Sequence, residues 1–99
     1  MAIRHIVLFR FAEGTPDERV TDLSAGLDAL PPAIPQIRRY EHGRNLGVTP
    51  GTWDYAVVAE FDSVDDQRSY RDHPVHQQLI RELVEPITLD RAAIQLSLD

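Results

Sequence analysis

The sequence predicts an α+β domain with elements in the order β-α-β-β-α-β. Three observations carry that prediction. Ile3–Phe11 and Trp53–Phe61 alternate with the two-residue period of a strand. Two later stretches, from Val20 to Leu30 and from Val75 to Val84, place apolar residues at helical spacing. Turn residues punctuate them: Gly14, Pro31-Pro32, Gly47 with Pro50-Gly51, and Pro86.

In the first strand, Ile3, His5, Val7, Phe9 and Phe11 share one face, and Arg4, Ile6, Leu8 and Arg10 share the other. Apolar groups on both faces predict an inner strand. His5 is either a satisfied core histidine or part of a pocket wall. Thr15-Pro16-Asp17-Glu18 then reads as a helix start, with Thr15 as N-cap, Pro16 in the first turn and Glu18 closing a capping box. Val20, Leu23, Leu27 and Leu30 form the buried stripe, and Pro31-Pro32 is expected to stop the helix. Ile34–Arg44 is extended with a weaker pattern, in which His42 reads as a surface histidine. The segment 45–52 reads as a loop.

Trp53, Tyr55, Val57, Ala59 and Phe61 share a face of the third strand; the opposite face, with Ala56 and Val58, looks suited to a packed helix. Asp62 or Ser63 caps a short helix. Pro74 biases His73 away from helical geometry, so this helix should break and restart. His73 and Pro74 are therefore read as structural. Ile87–Leu98 is the last strand, with a bend at Asp90-Arg91.

That order is the ferredoxin-like plait, one four-stranded antiparallel sheet with two helices on one face. Residues 1–99 are expected to form a single domain. The face carrying His5, Val7, Phe9, Trp53, Tyr55 and Phe61 is expected to be bare of helices. Such an apolar face predicts a homodimer, with the two sheets pairing as a dimeric α/β barrel.

Composition narrows the chemistry. The formal net charge of −6 argues against nucleic acid and anionic membranes as partners, and no apolar run reaches spanning length. Cysteine is absent, which removes thiolate chemistry. All ten basic residues are arginine, so no lysine can form a Schiff base. A cytoplasmic location is expected.

Chemistry-bearing residues concentrate in Ser69-Tyr70-Arg71-Asp72-His73-Pro74-Val75-His76. Tyr70 and His76 are six residues apart, about 600° of an unbroken helix, so they meet only if the break at Pro74 redirects the chain. If they meet, the imidazole can act as a base and the phenol as a hydrogen-bond donor. The structural alternative packs Tyr70 in the core and uses His76 to hold a dimer together. A metal would need His73 and His76 with His5 and Asp72, but the broken helix gives them no set geometry; neither metal nor cofactor is expected.

Ile3–Phe11, Tyr55-Ala56-Val57-Val58-Ala59-Glu60-Phe61 and Tyr70-x-x-His73-Pro74-x-His76 together resemble the stress-responsive A/B barrel (Dabb) family over essentially the whole chain. The resemblance implies a ferredoxin-like protomer that pairs into a barrel. One plant branch of the family contains polyketide cyclases that close a linear β-ketide by an aldol reaction. Its cavity is lined by a first-strand histidine, a third-strand histidine, and the tyrosine and last histidine of the motif. His5, Tyr70 and His76 match three of these; Tyr55 stands where the third-strand histidine would be.

The resemblance thus implies His76 and Tyr70 as catalytic residues, with His5, Tyr55, Val7, Phe9 and Trp53 shaping a pocket for a small apolar or aromatic ligand. Two other expectations stand beside a cyclase-like enzyme: a non-enzymatic ligand-binding or stress-associated barrel, and a cofactor-free monooxygenase.

Overall fold

A computed structural model describes residues 1–99. Strand β1 spans Ile3–Phe11, β2 Arg39–Arg44, β3 Tyr55–Phe61 and β4 Thr88–Ser97. They form one antiparallel sheet in the order β2-β3-β1-β4. Helix α1 covers Asp17–Asp28 and α2 is the single turn Leu30–Ala33. Helix α3 covers Val64–Asp72, and α4, Pro74–Leu79, continues into a π-helical turn at Ile80–Val84. The fold is the ferredoxin-like plait that the element order predicts.

The helices cover one face of the sheet, and it is the opposite face from the one expected. Val7, Phe9, Tyr55, Val57, Ala59 and Phe61 pack against Val20, Leu23 and Leu27 of α1, with Tyr70 and Leu79. The bare face carries Ile6 and Leu8 of β1, Ala56 and Val58 of β3, and Ile94 and Leu96 of β4; Ile6 stands between Val58 and Ile94, Leu8 opposite Ala56, and Leu96 opposite Arg4. Alternation fixes which residues share a face, but not which face is covered. The small residues of β3 suggested a helix seat. In fact the bulky side chains go under the helices, where volume is needed to fill the interior.

Local details also depart from expectation. Thr15 does not cap α1; its hydroxyl donates to the Ala12 carbonyl at 2.6 Å, and Pro16 occupies the cap position. Pro31 and Pro32 do not end the helical path but sit in the first turn of α2, where a missing N–H breaks no hydrogen bond. Trp53 precedes β3 rather than starting it, and Arg10 lies over its ring at 5.2 Å. Val75 is exposed instead of completing the apolar stripe of α4.

Ser63 caps α3, its Oγ accepting from the Asp66 N–H at 3.1 Å. His73 then leaves helical geometry at φ −62° and ψ 134°, and Pro74 opens α4. The His73 Nδ1 accepts from the Val75 N–H at 3.2 Å, so this residue ends one helix and caps the next.

Candidate functional site

The break at His73 sets the geometry of the site. It turns the chain so that the Tyr70 and His76 rings lie with centroids 4.2 Å apart. Both line a cavity of about 500 Å³ between the sheet and the helices, as does His5. Val7, Phe9 and Val57 form its sheet-side wall, with Leu27, Leu79, Ile80 and Val84 on the helical side. The π turn carries Ile80 and Val84, a wider winding of the kind often found at functional sites.

Hydrogen bonding fixes the roles of the two imidazoles. The Arg71 carbonyl lies 3.0 Å from His76 Nδ1. A carbonyl only accepts, so Nδ1 carries the proton and Nε2 keeps a lone pair. His5 shows the reverse: the Gln95 amide N–H donates to its Nδ1 at 2.8 Å, leaving Nε2 as the N–H donor. One cavity thus holds one imidazole acceptor and one imidazole donor. Burial lowers the pKa of both; Arg91 lowers it further, and the Arg71 carbonyl opposes part of the shift at His76. Both rings are held toward the neutral state.

Tyr70 is buried at 4% exposure, and its hydroxyl is 2.7 Å from that of Tyr40. Burial pushes the Tyr70 phenol up to about 12 and Tyr40 higher still, so both remain protonated. A protonated phenol can donate to an oxygen on which negative charge develops.

Two residues expected at the pocket lie elsewhere. Tyr55 is in the core, its hydroxyl 2.7 Å from His42 Nδ1, while His42 Nε2 is 2.7 Å from Asp28 Oδ1. His42 is accordingly no surface histidine: its side chain is 9% exposed and holds α1 to the sheet. Trp53 lies beside the 45–52 loop, away from the cavity. Conversely, Tyr40, Arg91 and Gln95 line the cavity and were not singled out by sequence. Gln95 had a signal, since it alternates with the apolar Ile94 and Leu96. No group of three or more His, Cys, Asp or Glu side chains is gathered that could hold a metal ion. No helix is long and apolar enough to cross a membrane.

A ferredoxin-like sheet roofed by a broken helix, with a tyrosine and two histidines around an interior cavity, defines a class of small α+β proteins. Within that class, the chain belongs to the stress responsive A/B barrel domain family, which matches residues 3–98. It is 32% identical over 77 residues to an uncharacterized protein of Streptomyces coelicolor, covering 76% of this chain and 79% of that one.

Among solved structures, a dimeric ferredoxin-like protein of unknown function from Thermobifida fusca is 40% identical, with a TM-score of 0.91 over 99% of this chain and 92% of the other. A dimeric ferredoxin-like protein from Bacteroides fragilis is 30% identical, with a TM-score of 0.86 over 98% and 96%. The hydroxynitrile lyase of Passiflora edulis shares the fold at 19% identity and a TM-score of 0.86, over 99% and 94%.

Proposed function

We propose that this chain is a homodimeric, cofactor-independent acid–base enzyme acting on a small β-dicarbonyl or aromatic metabolite in the His5–Tyr70–His76 cavity. The supporting observation is the pairing of His76, with a free Nε2, and a protonated Tyr70 in one apolar-walled space. The same fold houses a lyase in Passiflora edulis, a likeness that concerns the fold alone.

In the proposed cycle, His76 Nε2 takes a proton from a carbon flanked by two carbonyls. The C–H electron pair moves into an enolate, whose oxygen accepts a hydrogen bond from Tyr70. The enolate carbon attacks a further carbonyl, beyond these two, on the same ligand. A C–C bond forms, and the new alkoxide takes the proton back from the His76 imidazolium. Every atom and electron is accounted for without an oxidant or a metal. The His5 N–H can orient the carbonyl that is attacked.

Hydrogen–deuterium exchange at the acidic carbon of ethyl 2-methylacetoacetate, followed by NMR, tests the first step without requiring the natural substrate. The wild-type chain should exceed the buffer rate, and His76→Gln should lose about 10²-fold or more of the enhancement. Tyr70→Phe should lose less. Exchange no faster than buffer, or unchanged in His76→Gln, would leave a ligand-binding barrel as the better reading.

A further inference from the structure

The chain holds sixteen acidic residues against ten arginines, yet no carboxylate side chain lines the cavity. Two arginines do, Arg71 and Arg91. Arg71 is already neutralised: its Nε and Nη2 donate to the two Asp72 carboxylate oxygens at 2.9 and 3.0 Å. The Arg91 guanidinium makes no hydrogen bond or ion pair within the chain. Its backbone N–H donates to Asp90 Oδ1 at 2.9 Å.

The placement of Arg91 depends on an irregularity in β4. Arg10 pairs with Asp90, but Phe11 pairs with Thr88, so Leu89 is an extra residue, 65% exposed. Such a bulge reverses the parity of the strand. Beyond it, Arg91 stands opposite Phe9 on the helix side, and Asp90 stands opposite Arg10 on the bare face. Were the register to run unbroken from Thr88 opposite Phe11, Leu89 would stand opposite Arg10 and Asp90, not Arg91, would stand opposite Phe9 on the helix side.

We infer that the cavity selects a carboxylate-bearing ligand, with Arg91 at its β4 edge pairing with the carboxylate while the apolar walls take the ring or short chain. The other polar groups add no competing charge. Burial holds His5 and His76 toward neutrality and keeps Tyr40 and Tyr70 protonated. The guanidinium is therefore the uncompensated charge facing the space. Its fork fits a carboxylate with two parallel hydrogen bonds. One unpaired cation suits a monoanion better than a phosphate dianion. The inference rests on the proposed ligand cavity, but not on catalysis within it.

Calorimetric titration with a matched pair, 4-butylbenzoate and its neutral isostere 4-butylbenzamide, tests it at low salt and pH 7.5. The acid should bind the wild-type chain at least about tenfold more tightly than the amide. Arg91→Gln should remove that preference by weakening the acid alone, Arg91→Lys should keep part of it, and Arg71→Gln should leave it intact. Arg91 lies on an edge strand with no side-chain partner, so its variants should melt like the wild type. Equal affinities in the wild-type chain, or equal weakening of both probes by Arg91→Gln, overturn the assignment. Binding of neither probe overturns it together with the ligand cavity. If the acid preference holds while the exchange assay is silent, catalysis fails and this assignment stands.

Discussion

His76 carries a consequence for pH at the scale of a single side chain. Its folded pKa lies below the ordinary value of 6.5, chiefly through burial, with Arg91 and His73 adding to the shift and the Arg71 carbonyl opposing it. His5, across the cavity, is lowered by burial, Arg91 and His76. Below pH 6.5 the unfolded chain therefore takes up protons that the folded chain resists, and stability falls as pH falls toward the folded values. Thermal melts from about pH 5 to 8 should show this decline only on the acid side, with a shallower slope in His76→Gln. An identical slope in that variant would refute a half-buried His76 held toward neutrality.

The same residue shows how far sequence reasoning reaches. The Tyr70–His76 pair was legible because a proline breaks the helix between them. The Arg71 carbonyl that selects the tautomer was not, since every residue has one. Arg91 shares the parity of Ala93 and Gln95, but alternation does not say that this is the face the helices cover, nor that its guanidinium lacks an acid partner. Tyr55 and His42 share apolar or polar company in sequence, and only their mutual bond shows that both serve the scaffold.

At the scale of elements, α1 and the helical segment after Pro74 approach closely at Gly26. A Cβ built there would lie 2.5 Å from Leu83 Cδ1 and 3.1 Å from Leu79 Cδ1. Gly26 is thus kept for clearance, despite the roughly 1 kcal/mol that glycine costs a helix relative to alanine. Leu79 also lines the cavity. Gly26→Leu should lower stability by about 1–3 kcal/mol and weaken 4-butylbenzoate binding together. Denaturant melts and calorimetry check the two effects, and a stable variant with unaltered binding would show that the helices part without disturbing the cavity. The existence of α1 was legible from buried spacing, though neither its cap nor its end was, and the start of α3 was legible from Ser63. The α2 turn was not, because paired prolines mark the start of a helix as readily as its end.

The bare sheet face decides the behaviour of the whole molecule. Ile94 is 56% exposed and Leu96 44%, beside the half-buried Ile6, Leu8 and Val58. Water against such a continuous apolar surface is unfavourable, and a second copy would remove it. Solved relatives from Thermobifida fusca and Bacteroides fragilis are dimeric. Ile94→Lys should shift the mass in sedimentation from dimer to monomer; an unaltered dimer would place the contact elsewhere. The need for a partner followed from counting apolar residues on two strand faces. Its location did not, because both faces of β1 are apolar and the pattern carries no label for inside.

The hydrogen bond from His76 to a main-chain carbonyl also bears on how such a protein can change over generations. The acceptor belongs to the peptide backbone, so no substitution at position 71 deletes it. The cavity walls, in contrast, are ordinary aliphatic side chains on strands and helices, each replaceable by another of similar volume. What the cavity admits and how it handles a proton are therefore inherited through separate positions. A lineage descending from this chain could reshape the cavity many times while keeping the same imidazole tautomer.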